Sequence, residues 1–94
     1  MRIVWTDGAL DDLAEIIAYY EAEAGATTAE MIAGRIASQI EALPPFPQRI
    51  RGSDRYPGTR ELAISRLPFV VFVKLESDAL VVLNIVHTAR RFPA

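Results

Sequence analysis

The chain has no cysteine and a single histidine, His87. Without thiols no disulfide can staple the fold, and one imidazole alone cannot complete the usual ligand set of a structural zinc, so no metal site is expected. Long apolar runs are missing as well. The longest, Leu67 to Val73 and Ala79 to Leu83, fall far short of the ~20 residues needed to span a bilayer. The opening Met1-Arg2-Ile3-Val4-Trp5-Thr6-Asp7 runs into charge rather than the apolar stretch of a signal peptide, which predicts a cytoplasmic protein. There is no Gly-rich phosphate cradle, no Ser-His-Asp arrangement, no internal repeat and no low-complexity tract, and no cofactor is expected. Lysine is nearly absent: nine of the ten basic residues are arginine, which suits planar, bidentate contacts with carboxylate or phosphate.

What remains is a chain of 94 residues, 51% hydrophobic and 23% charged. A chain of this length buries only about 60–65% of the surface its unfolded form exposes, enough for one core, so residues 1–94 read as a single soluble domain. The net charge of −2 and pI near 5.3 argue against a general nucleic-acid binder. Its distribution says more. Residues 1–47 set two arginines against eight carboxylates, a balance of −6, whereas residues 48–94 set eight cations against four carboxylates, a balance of +4.

Local patterns predict the order β-α-α-β-β-β. Arg2 to Trp5 is β-prone, with Trp5 needing cover on one side. Thr6 offers an N-cap oxygen, and Leu10, Leu13, Ile16, Ile17 and Tyr20 recur at helical spacing, predicting a helix from about Asp7 to Glu23 that stops at Gly25. Thr27 and Glu30 have the capping-box spacing and predict the start of a second helix after a connection of about four residues. Its apolar face is Ile32, Ile36, Ile40 and Leu43 beside Ala29, Ala33 and Ala37. Gly34 in that helix predicts a close helix crossing, and Pro44-Pro45 end it. Residues 44–58, rich in proline and arginine, read as an ordered loop or a flap. Alternation then predicts strands at Thr59 to Ile64, Phe69 to Leu75 and Leu80 to His87, with Glu76 to Ala79 as a hairpin connection. The expected fold class is α+β, with an N-terminal helical hairpin packed on one face of a mostly antiparallel four-stranded sheet. The last two strands are apolar on both faces apart from Lys74 and Asn84, so they should lie centrally, and the face without helices should form a groove or a partner surface.

The strongest cluster of chemistry-bearing residues is the tail from His87 through Arg90, Arg91 and Phe92. It places an imidazole and two guanidiniums at the end of a strand, and Arg60 and Arg66 from neighbouring strands could join them to bind phosphate, with His87 carrying a proton. A single histidine at a strand end is more often a structural hydrogen-bonding residue than a catalyst, and His87 reads first as structural. Arg60, on the strand face of Leu62, reads either as a ligand contact or as the ion-pair partner of an acid on the first helix. Arg49, Arg51 and Arg55 read as solvated loop charge, Tyr19 and Tyr20 as a helix rim and helix packing. Near the tail in sequence stand neither a tyrosine nor a carboxylate to serve as the second acid–base group.

The ordered set Val4-Trp5-Thr6, Ala9-x-x-Asp12-Leu13-x-x-Ile16-x-x-Tyr19-Tyr20, Ile36-x-x-x-Ile40-x-x-Leu43, Gly58-Thr59-Arg60-Glu61-Leu62, Leu67-Pro68-Phe69 and Ile85-Val86-His87-x-x-Arg90-x-Phe92-Pro93 resembles the RelE/ParE superfamily of type II toxins, the ParE branch in particular. The resemblance covers nearly the whole chain and implies a cytoplasmic toxin neutralised in a hetero-oligomer by a cognate antitoxin encoded beside it. ParE-like members act on DNA gyrase and block replication; RelE-like members cut mRNA in the ribosomal A site. Of the basic nuclease set, the loop lysines are replaced by Arg49, Arg51 and Arg55, the arginine at the start of the third strand by Phe69, and the C-terminal tyrosine is missing, while Arg90 matches. This favours a ParE-like toxin that is not an enzyme and does not bind nucleic acid sequence-specifically. The alternatives are an mRNA endonuclease using Arg60, His87 and Arg90, or a non-toxic degenerate member. The resemblance and the charge polarity together point to His87, Arg90, Arg91 and Phe92 for target binding, and to Arg60, Arg66, Phe72, Lys74 and Asn84 for antitoxin binding.

Overall fold

A computed structural model describes residues 2–44 and 50–89. The elements are β1 (Arg2–Trp5), α1 (Asp7–Ala24), α2 (Ala26–Glu41), β2 (Arg51–Gly52), β3 (Arg60–Ala63), β4 (Phe69–Leu75) and β5 (Ala79–His87). The predicted strands and helices are all present, and the class is α+β. The sheet has five strands, not four, in the order β1-β5-β4-β3-β2. The additional strand, β2, is two residues long and pairs Arg51 with Glu61 and Gly52 with Arg60; it is too short to show a period in the sequence. β1 runs parallel to β5 and the remaining pairs are antiparallel. β4 and β5 are central, as their two-sided apolar pattern requires.

Thr6 caps α1: its hydroxyl oxygen accepts from the Ala9 N–H at 3.1 Å. The apolar stripe of α1 differs from the predicted one at its start, where buried Ala9 replaces Leu10, which is 50% exposed. The start of α2 also departs from expectation. Gly25 alone joins the helices, with φ 92° and ψ 165°, and no side chain caps α2, so Thr27 lies inside the helix and the capping box does not form. A chain reversal in one residue needs a backbone conformation essentially restricted to glycine, and that local requirement outweighs the capping signal. Gly34 is exposed and a Cβ built there meets nothing within 4 Å, so no close crossing explains it.

The core joins Ile32, Ile36 and Ile40 of α2 to Phe69, Val71 and Val73 of β4 and to Leu80, Val82 and Ile85 of β5, with Leu13, Ile16 and Tyr20 of α1 packed against them. Full burial of such side chains stabilises by about 1.5–3 kcal/mol each. Pairing jumps from Phe72↔Asn84 to Val73↔Val82, leaving Leu83 as a bulge residue in β5. Glu76 to Asp78 connect β4 to β5 as predicted, closed by the Glu76 N–H on the Ala79 carbonyl at 2.8 Å.

β1 pairs with β5 only as far as Val82. Beyond it the entry of α1 replaces a strand. The Thr6 N–H donates to the Val82 carbonyl at 3.1 Å, the Thr6 hydroxyl lies 2.9 and 3.0 Å from the Val82 and Leu83 carbonyls, and Asp12 Oδ2 accepts the Ile85 N–H at 2.8 Å. These bonds satisfy backbone groups that an open edge would leave unpaired. They also bring the polar face of α1 to the end of β5.

Candidate functional site

His87 ends β5 opposite Phe69, with the two rings edge-on at a centroid distance of 5.4 Å. Its Nδ1 accepts the Ala89 N–H at 3.0 Å, so the neutral ring carries its proton on Nε2. The structural role foreseen for His87 is therefore present. So is a setting that sequence proximity hid. His87 lines a cavity of about 460 Å³ together with Asp12, Glu15, Ile16, Tyr19, Tyr20, Phe69, Ile85 and Ala89. Two tyrosines and two carboxylates thus share the cavity with the imidazole although none is near it in sequence. The helical spacing Asp12, Glu15, Tyr19 places three polar side chains on one face of α1, a signal visible in the sequence; that this face meets the end of β5 is a tertiary fact. Among the described residues no three His, Asp or Glu side chains form a metal-ligand group.

Arg60 is not part of this cavity. It pairs with Val73 in the register, on the sheet face that carries the core, and donates through Nη1 to the Ile50 carbonyl at 2.8 Å. Its partner is this backbone carbonyl rather than an acid of α1. Counting strand positions from Val82, opposite Val73, to His87 and across two strand spacings separates Arg60 from His87 by roughly 15–20 Å. The Arg60 guanidinium is engaged at the Ile50 carbonyl, away from the imidazole. Arg90, Arg91 and Phe92, like Arg49, lie outside the described residues.

The opposite face of the sheet carries the other predicted residues. Phe72, Lys74 and Asn84 alternate onto it with Val70, Val81 and Val86. Phe72 is only 3% exposed because Tyr56 lies edge-on over it at 5.1 Å. The segment between β2 and β3 therefore covers part of a face expected to be bare. Ser53 Oγ donates to Glu61 Oε2 at 2.6 Å and Arg55 pairs with Glu61 at 3.3 Å, fastening this cover. What stays open is a hollow of about 300 Å³ bounded by Tyr56, Thr59, Phe72, Leu83, Asn84 and Val86. Lys74 is exposed and faces Glu76 at 3.8 Å, and Asn84 donates to Asp12 at 3.2 Å. Arg66 lies exposed in the β3–β4 turn with φ 68°.

A helical hairpin on one face of a mixed sheet, with one hollow at the end of β5 and another on the far face, defines a small α+β protein. Comparison with known proteins makes this specific. A family model described as the ParE toxin of the type II toxin-antitoxin system, parDE, matches residues 3–92. A Sinorhizobium fredii (strain NBRC 101917 / NGR234) protein bearing the name "Putative toxin Y4kP" is 33% identical over 92 residues, 98% of this chain and 93% of that one. A solved structure titled "Chromosomal ParDE TA system from P. aeruginosa" superposes with a TM-score of 0.84 at 27% identity, covering 93% of this chain and 95% of the other. The chain belongs to the ParE toxin family of type II toxin–antitoxin systems.

Proposed function

We propose that this toxin acts in the cytoplasm as one domain, residues 1–94, that inhibits DNA gyrase and is held inactive by a cognate antitoxin. The separation of Arg60 from His87 carries this reading over mRNA cleavage. A ribonuclease site needs cations and a proton carrier converging on one phosphodiester; here the imidazole shares its cavity with Asp12 and Glu15, whose charges oppose a phosphate there. The antitoxin lies against the helix-free sheet face, around Lys74, Val70 and Val86, with Arg66 at its margin. Target binding falls to the tail, where Arg90, Arg91 and Phe92 follow His87.

Induced expression with and without the cognate antitoxin tests the proposal. Growth arrest with gyrase-dependent DNA breaks and intact mRNA is the expected result, reversed by the antitoxin. Cleaved mRNA with intact DNA would overturn it in favour of the nuclease. Normal growth despite folded protein would identify a non-toxic member.

A further inference from the structure

Apart from His87, the lining of the cavity at the end of β5 is not assigned to target binding, and it specifies a ligand chemistry of its own. Its volume of about 460 Å³ lies within the ordinary range for ligand pockets. Rings follow one another along its wall: Tyr19 meets Tyr20 edge-on at 5.1 Å, Tyr20 meets Phe69 at 6.4 Å, and Phe69 meets His87 at 5.4 Å. Aromatic faces attract cations, most readily a planar, weakly hydrated guanidinium.

The charge of the site agrees. Asp12 and Glu15 line the cavity and no lysine or arginine does so among the described residues. Asp12 is engaged by the Ile85 N–H and by Asn84. Glu15 is exposed and has no hydrogen bond or ion pair among the described residues. The whole of α1 carries six carboxylates and no cation, so this helix contributes a negative field to its side of the cavity. Tyr19, 60% exposed, and Glu15, also exposed, are solvent-accessible members of the lining.

We infer that this cavity receives an arginine side chain presented by a partner protein, its guanidinium against the aromatic wall and paired with Glu15. The inference does not depend on gyrase being the target. A lysine is the poorer occupant because its compact ammonium is more strongly hydrated and cannot stack.

Titration of the isolated protein with the capped tripeptide acetyl-Gly-Arg-Gly-amide, followed by NMR of the His87, Tyr19 and Ala89 resonances, tests it. The citrulline tripeptide, neutral and nearly isosteric, is the control. Saturable shifts at these three residues are expected, with an affinity on the order of millimolar, and citrulline should bind at least about fivefold more weakly. Glu15→Gln, an exposed helical position, should weaken the arginine peptide roughly threefold to fivefold and leave citrulline unaffected. Tyr19→Ala should weaken it to a similar extent. Equal binding of the two peptides, shifts spread evenly over Glu21 and Glu23, indifference to both substitutions, or the absence of saturable shifts would each overturn the inference.

Discussion

Asp12 is the residue through which helix, sheet and cavity meet, and removing its carboxylate is the sharpest test of how the edge of β5 is closed. In Asp12→Ala two acceptor contacts disappear: that of the Ile85 N–H at 2.8 Å and that of Asn84 Nδ2 at 3.2 Å. The first is the costly loss. Ile85 is 4% exposed and belongs to the core, so its N–H loses a charge-assisted bond without full access to water. Such a bond contributes about 1.5–3 kcal/mol. Asn84 is exposed, and its amide turns to solvent at little cost. The expected destabilisation is therefore about 2–3 kcal/mol, or a fall in Tm of roughly 10–20 °C for a domain of this size. Urea or thermal unfolding measures it, with amide exchange at Ile85 as the local readout. Asp12→Asn keeps an acceptor oxygen and should lose less than half as much. A loss below about 0.5 kcal/mol for Asp12→Ala, with Ile85 exchange unchanged, would refute the view that α1 substitutes for a missing strand.

Two further predictions concern the helical hairpin. Gly34 sits in the interior of α2 with free space around its Cβ direction, so Gly34→Ala should raise stability by about 0.5–1 kcal/mol, read as a higher urea midpoint at unchanged m-value. Gly25→Ala should lower it by about 1–3 kcal/mol. A Cβ added there meets nothing within 4 Å, so the whole cost is backbone strain at φ 92° and ψ 165°, and the helical circular dichroism of the folded protein should stay unchanged.

Element identity was legible in the residues because it rests on local period. Alternation marks β3 to β5, the Ile32-Ile36-Ile40 ladder marks α2, and Thr6 marks the start of α1. The misses also have local causes. β2 is held by cross-strand bonds alone, and Thr27 lost its capping role because the turn closed at Gly25. The functional residues were legible singly but not as a set. His87 stood out, whereas its neighbours Asp12, Glu15, Tyr19 and Tyr20 lie about seventy residues earlier in the chain. Arg60, expected beside His87, lies toward the other end of the central strands.

The sequence by itself determined the α+β order, the central place of the two apolar strands, the acidic helical half and the ParE family resemblance, because period, charge and motif are properties of neighbouring residues. Only the tertiary structure decided that β1 returns to pair in parallel with β5 and that α1 closes the rest of that edge. The same packing brought a carboxylate-bearing helix face against the single histidine. Those outcomes depend on unpaired backbone groups finding partners across the fold, and a linear pattern does not encode which helix supplies them.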